Sequence, residues 1–301
     1  MNLGKIKKTL GDQVKKYPPL VSRIRKLAHY ISPDTTILLD YPINPRPRWD
    51  DENPHEELYK IIDRNRDMYK KYLSSFLKFN NYFLEIPEKQ SSTDSNIPFW
   101  INGMMPALDS VALYSFIALK KPSHYCEIGS GNSTKFARKA IDNHNLTTKI
   151  TSIDPYPRAE IDNICDQVIR EKVEDINLDI FDHFEADDIL YVDNSHRVFT
   201  NSDATTVFLD IIPRLKSGVL VEIHDVLLPY DYPAEWTGRY YSEQYLLAAY
   251  LLAKGNRLDI ILPNTFISKD PELTRILDPL WQKKQIQNVE THGCSFWFKI
   301  K

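Results

Sequence analysis

From residue 124 onward, short apolar runs alternate with longer segments whose apolar residues recur every three or four positions. His124–Ile128, Lys149–Asp154, Gln167–Arg170, Ile189–Asp193, Gly218–Ile223, Leu258–Leu262 and Cys294–Ile300 read as strands. Between them Ser133–Asp142, Ala159–Cys165, Asp203–Leu215, Arg239–Ala253 and Pro271–Trp281 read as helices. This alternation predicts an α/β fold, a parallel sheet with helices on both faces. Before residue 120 there is no strand pattern. Glu56–Phe83 and Asp109–Leu119 have helical spacing, and the proline-bearing stretches Tyr41–Pro54 and Glu88–Pro98 break the chain around them. The expected organisation is a helical N-terminal cap over 1–120 and a sheet domain over 121–301, with residues 55–120 closing over the ligand side of the sheet.

Composition sets bounds on function. Of 301 residues, 42% are apolar and 26% charged, with a net charge of −3, which gives no general attraction to nucleic acid. The charge is uneven: residues 1–30 hold eight of the 38 basic residues and one of the 41 acids, Asp12. Leu3, Ile6, Leu10 and Val14 fall at helical spacing there, so this stretch reads as a helix with a solvated basic face. No apolar run reaches the roughly 18 residues of a membrane span, and no secretory leader pattern is present. Cys126, Cys165 and Cys294 fit no zinc-motif spacing and read as free, buried thiols of a cytoplasmic protein.

In open parallel sheets, ligands bind beyond the carboxyl ends of the strands. After the first strand comes Gly129-Ser130-Gly131, and after the second comes Asp154, a carboxylate placed to accept from a ribose diol. That pair suits NAD or S-adenosylmethionine. Two details separate them. The dinucleotide fingerprint wants a small residue where Thr134 stands. Glu127, two positions before the first glycine, would repel a pyrophosphate but suits a cationic amino-acid ligand, directly or through water.

The motifs EIGSGNST, TSIDPYPR, DDILYVDNSH and LVEIHDV, in that order, resemble a class I S-adenosylmethionine-dependent methyltransferase, in particular the small-molecule O-methyltransferases of the antibiotic-sugar and catechol type. The resemblance covers about residues 97–300. It implies a Rossmann-like seven-stranded methyltransferase sheet with the last strand antiparallel, and methyl transfer to an oxygen of a small molecule or glycan. It also implies that Glu127, Gly129, Ser130 and Gly131 line the methionine moiety, that Asp154 holds the ribose, that Asp175 lies by the adenine, and that Asp193 borders the cofactor. An NAD-dependent oxidoreductase and a non-catalytic binding module with the same fold are the competing readings.

Methyl transfer to a hydroxyl needs a route for its proton. The fourth strand ends with Asp193 and His196, and the fifth with His224 and Asp225. Two arrangements are open. Asp193 and Asp225, at positions where metal-dependent relatives carry carboxylates, hold Mg²⁺; or His224 takes the proton while an aspartate orients it, with His196 the next candidate. Tyr230, Tyr232, Trp236 and Arg239 are expected to shape the acceptor pocket, and Trp100, Asn102 and Met104 to cap the cofactor.

Overall fold

The computed structural model describes residues 42–90, 94–254 and 257–301, together with Arg23, Leu27 and Tyr30. Arg46–Lys301 forms one compact unit and Met1–Pro45 another. Of Met1–Pro45, Arg23, Leu27 and Tyr30 are helical and 42–45 have no regular structure. The rest of the basic 1–30 stretch lies outside the described residues.

The centre of the larger unit is a seven-stranded sheet: β1 His124–Ile128, β2 Lys149–Ile153, β3 Gln167–Ile169, β4 Ile189–Val192, β5 Leu220–Ile223, β6 Leu258–Pro263 and β7 Phe296–Ile300. Their order is β3-β2-β1-β4-β5-β7-β6. β7 pairs antiparallel with both β5 and β6, while the other pairings are parallel. Every residue of β4 and β5 is buried, Glu222 of β5 included, so both faces of these strands are covered. The doubly wound sheet with its last strand antiparallel is therefore as expected.

Helices α1 Glu56–Asp63, α2 Arg66–Phe76 and α3 Asn80–Leu84 precede α4, Ala107–Lys120. α4 is buried from Ala107 to Ala118, the behaviour of a helix that is apolar all round, and it ends where Lys121 turns left-handed at φ 51°. α2 buries Tyr69, Leu73 and Phe76. Tyr59 and Tyr69 meet Phe266 edge-on at 5.3 and 6.4 Å, and Asn65 Nδ2 donates to the Ile260 carbonyl at 2.9 Å. These contacts place the 56–76 helices along β6 and the residues after it. After β1 comes α5, Asn132–Asn143, which buries Phe136, Ala137, Ala140 and Ile141 on one stripe.

Several expected helices differ. Ala159–Cys165 forms only a single turn, Asp162–Ile164. Pro155 and Pro157 remove two backbone donors ahead of it, and Arg170 Nη1 holds the Asp154 carbonyl at 2.9 Å. The 203–215 helix starts as α6, Asp203–Thr206, widens over Val207–Ile211 and tightens over Ile212–Arg214. Pro213 lacks the N–H of a regular turn and crowds the carbonyl four residues back. The 271–281 segment breaks into short turns at Pro271–Thr274, Arg275–Leu277 and Asp278–Trp281. The helix expected from Arg239 starts later, as α7, Glu243–Leu252, and α8 is Asn264–Lys269. No described helix is long and apolar enough to cross a membrane.

Candidate active site

The register of the sheet aligns one row of side chains: Ser152, Glu127, Tyr191, Glu222 and Trp297 are successive neighbours across β2, β1, β4, β5 and β7. The residues that follow on each strand, from Gly129 and Asp154 to Asp193 and His224, lie at the carboxyl ends. The site is built there.

Gly129 has φ +83°, and a Cβ placed on it would lie 1.9 Å from the Asp193 carbonyl oxygen. Only glycine fits this turn. Its N–H donates to the Ile153 carbonyl at 3.0 Å, and the Asp193 N–H donates to the Ile128 carbonyl at 2.9 Å, so three strand ends are tied together. The Ser130 N–H donates to Asp154 Oδ2 at 2.9 Å, and the Tyr156 N–H to Oδ1 at 2.8 Å. Gly131 differs from Gly129: a Cβ there would meet nothing within 4 Å. This open space above the turn, beside the half-buried Asp154, is where a ribose-bearing cofactor fits, because each Asp154 oxygen keeps a lone pair. The Trp100 ring packs on Phe136 of α5, 5.7 Å away.

Glu127 does not reach that space. It is fully buried, and its oxygens accept from the Tyr125 and Thr134 hydroxyls, while Thr134 Oγ1 accepts from the Gly131 N–H at 3.1 Å. The carboxyl props the glycine turn from below. Of the two expected routes to a cationic ligand, direct or through water, these internal hydrogen bonds favour the one through water. Burial pushes this carboxyl up to about 7, against the pull of its Thr134 and Tyr125 hydrogen bonds. From about pH 4.5 to 7 the folded chain therefore keeps a proton that the unfolded chain releases, and stability falls as pH rises through that window, by on the order of 3 kcal/mol. Glu127→Gln should remove this slope. Its melting temperature should rise relative to that of the unsubstituted protein between pH 5 and pH 8, and parallel curves would exclude the assignment.

The ends of β4 and β5 carry a network of acids and imidazoles. His196 Nε2 meets Asp193 Oδ1 at 3.1 Å and Nδ1 meets Glu243 Oε2 at 3.0 Å; Asp225 Oδ2 is 3.6 Å from Nε2. Burial disfavours the imidazolium, but Asp193 and Glu243 outweigh it and lift His196 to about 10. Held between two carboxylates, His196 orients Asp193. His224 is equally buried. Its Nδ1 lies 3.7 Å from Asp193 Oδ1 and 3.5 Å from Asp225 Oδ1, and its Nε2 is 3.5 Å from Asp109 Oδ2. Burial again opposes the charge, and Cys294 and Tyr191, then the Asp193 and Asp109 carboxylates, hold it well above its ordinary value. The two imidazoles in turn outweigh the burial of Asp193 and draw its carboxyl down to about 2. His196 and Asp225 both take left-handed backbone conformations, φ 58° and 53°, which for such residues costs about 1–3 kcal/mol each and is a mark of functional sites.

A cavity of about 750 Å³ opens over these strand ends. Asp193, His196, His224, Asp225 and Cys294 form its floor, Trp100–Met105 one wall, and Trp236, Arg239 and Tyr241 another. Arg239 stacks on Trp236 at 4.3 Å. Tyr230 and Tyr232, expected at the pocket, are buried beneath it instead; Tyr232 packs on Trp236 and Tyr241 from below, at 6.3 and 5.8 Å. Asn102 is also redirected: its Oδ1 accepts from the Met104 and Met105 N–H groups and shapes the loop. Among the described residues, none of 46–90 and 94–99 lines the cavity, and of the segment expected to close the site the Trp100–Ala107 stretch is the part that does. Asp175 lies apart from the cavity, exposed in the turn Val173–Asp175.

Of the two arrangements left open, Mg²⁺ at Asp193 and Asp225 is the one these contacts disfavour. Both carboxylates already face imidazoles at 3.1–3.7 Å, and magnesium demands oxygen ligands. Three residues of the network were missed in the sequence. Asp109 sits in the first turn of α4, Glu243 opens α7, and Cys294 precedes β7. Asp109 did carry a signal, as a lone acid in a helix apolar on every side.

Strand order, the glycine-only turn and the acid after β2 define a class I methyltransferase fold. Residues 126–226 match the family model described as a methyltransferase domain. An uncharacterized protein of Archaeoglobus fulgidus is 28% identical over 130 residues, which span 41% of this chain and 58% of that protein. Among solved structures, the plantazolicin methyltransferase BpumL in complex with SAH is 14% identical, with 82% of this chain and 89% of that one covered and a TM-score of 0.40. The SAH-bound Podospora anserina methyltransferase PaMTH1 is 14% identical, with 88% and 100% covered and a TM-score of 0.42.

Proposed function

We propose that this chain binds S-adenosylmethionine over the Gly129–Gly131 turn and transfers its methyl group to an oxygen of a small molecule or glycan held in the 750 Å³ cavity. The observation that carries the reading is one of placement. The open space at Gly131 and the Asp154 carboxylate lie at the ends of β1 and β2, and the acid–imidazole floor of the cavity lies at the adjacent ends of β4 and β5. The cofactor, when bound, supplies an electrophilic methyl on a sulfonium. Everything else is positioning and charge. Asp154 anchors the ribose, and the Gly129 turn admits the methionine end. Asp193 and Asp225 are the carboxylates that face the acceptor and orient its hydroxyl, with His196 fixing Asp193 and His224 lying between the two. Trp236, Tyr241 and Arg239 offer flat and cationic surfaces to the rest of the acceptor.

Calorimetry tests the donor. Asp154→Ala leaves the ribose hydroxyls without a charged acceptor, worth about 1.5–3 kcal/mol, so affinity for S-adenosylmethionine should fall about ten- to a hundredfold. NAD⁺ in the same cell should give no binding heat. Unchanged affinity in Asp154→Ala, or tight binding of NAD⁺, would overturn the donor assignment.

A further inference from the structure

We propose that Asp109, His224 and Cys294 form a binding site for a divalent metal of the zinc class, with its open side toward the cavity. Among the described residues, this is the group of His, Cys, Asp or Glu side chains whose ligand atoms converge, all within 4.8 Å of one another. The separations are specific. Asp109 Oδ2 is 3.5 Å from His224 Nε2 and 3.4 Å from Cys294 Sγ, and Sγ is 3.7 Å from Nε2. A tetrahedral ion with bonds of about 2.0 Å to nitrogen and oxygen and about 2.3 Å to sulfur sets its ligands roughly 3.3–3.6 Å apart. The three atoms therefore already stand near the corners such an ion needs.

The surroundings support ligation. Asp109 Oδ1 accepts from Asn264 Nδ2 at 2.7 Å and from the Ser295 N–H at 3.0 Å, and Oδ2 accepts from the Cys294 N–H at 2.9 Å. Oδ1 is thereby satisfied, and Oδ2 keeps one lone pair on the side of the trio. The far nitrogen of His224, Nδ1, faces Asp193 and Asp225, the carboxylate–histidine–metal arrangement that fixes a ligating ring. Asp225 Oδ1, 3.3 Å from Sγ, is a further oxygen at the edge. His224, Asp225 and Cys294 line the cavity and Asp109 does not, so an ion held by the three residues would keep a position open to the acceptor, as catalytic zinc sites do. Thiolate and imidazole select the zinc class over magnesium. On binding, the thiol and the imidazolium each release a proton, and the ion balances the thiolate and Asp109.

The site is tested on the untagged full-length protein, stripped with chelator and titrated separately with Zn²⁺, Co²⁺ and Mg²⁺. About one equivalent of Zn²⁺ or Co²⁺ should bind, the cobalt form should show a thiolate-to-metal charge-transfer band, and Mg²⁺ should not compete. Zinc X-ray absorption on the unsubstituted protein should find one sulfur at about 2.3 Å. Cys294→Ser should lose the band and bind Zn²⁺ about 100-fold more weakly, whereas Cys126→Ser should keep both. No stoichiometric Co²⁺ binding, a zinc shell without sulfur, or a Cys294→Ser variant with the band intact would each overturn the site. Because these readouts need no S-adenosylmethionine, they stand apart from the test of the methyl donor.

Discussion

Replacing His224 with alanine is expected to lower turnover by about 10²–10³-fold, the loss seen when one preorganised charge is removed from a reacting centre, while S-adenosylmethionine affinity stays within a few-fold. The expectation follows from what surrounds the ring. Three carboxylates, those of Asp109, Asp193 and Asp225, lie within 3.7 Å of its nitrogens. Positive charge at this position, whether a proton on the ring or a metal on Nε2, is what holds the three together and lowers the energy of an acceptor oxygen losing its proton. Without it, Asp193 and Asp225 repel each other across a buried gap. Asp109, with no exposure at all, also loses a partner, and breaking a buried pair costs about 3–5 kcal/mol. Turnover must therefore be measured per folded molecule, with chemical denaturation alongside, and with His224→Gln as the variant that keeps one amide donor in place. The ribose end of the cofactor site depends less on this change, because Asp154 and the Gly129–Gly131 turn hold one another through Ser130. Normal turnover by a fully folded His224→Ala protein would mean that the proton leaves by a route other than these strand ends.

Much of this arrangement was legible in the sequence, for a physical reason. Buried strands show as short runs rich in apolar residues closed by a turn, and in an open parallel sheet the residues just past β1, β2, β4 and β5 are where a site is built. Gly129 was legible because only glycine takes its conformation. What stayed hidden was pairing across long separations. Asp109 accepts from the backbone of Cys294, 185 positions away, and nothing in the run ALDSVALYSF states that its acid meets a histidine. Glu243 looked like an ordinary acid at a helix start, yet its carboxylate is fully buried on His196. Glu127 was read from its neighbours in the chain, as a ligand for the turn that follows it. The register of the sheet put it instead in a row with Tyr191 and Glu222, where its hydrogen bonds are internal. The segment 159–165 misled in the opposite direction. Ile161 and Ile164 have helical spacing, but the prolines before them and the Arg170 clamp on Asp154 leave a single turn.

Gly129 and Gly131, two residues apart, should respond to the same substitution in opposite ways. In Gly129→Ala the new methyl carbon would sit 1.9 Å from the Asp193 carbonyl oxygen and 2.7 Å from its carbon. Something must move, and the neighbour is backbone, which cannot rotate away. A left-handed alanine costs about 1–2 kcal/mol, and forcing a methyl into a packed contact costs about 1–3 kcal/mol more, so a loss of about 2–5 kcal/mol in unfolding free energy is expected. The shift would push Asp193 off the Ile128 carbonyl and carry its carboxylate away from His196, so activity should fail together with stability. In Gly131→Ala the methyl meets no atom of the protein, and the stability change should stay within about 1–2 kcal/mol. The space it enters is the space assigned to the cofactor, where an unaccommodated methyl should weaken S-adenosylmethionine about ten- to a hundredfold. Urea denaturation and calorimetry on both variants separate the two effects. If Gly131→Ala binds the cofactor as tightly as the unsubstituted protein, the ligand does not lie over this turn. If Gly129→Ala is as stable as the unsubstituted protein, β1 and β4 do not meet there as described. The contrast is the sharper test, since a general sensitivity of the loop to alanine would damage both variants alike, whereas a turn built against Asp193 on one side and a ligand on the other damages each in its own way.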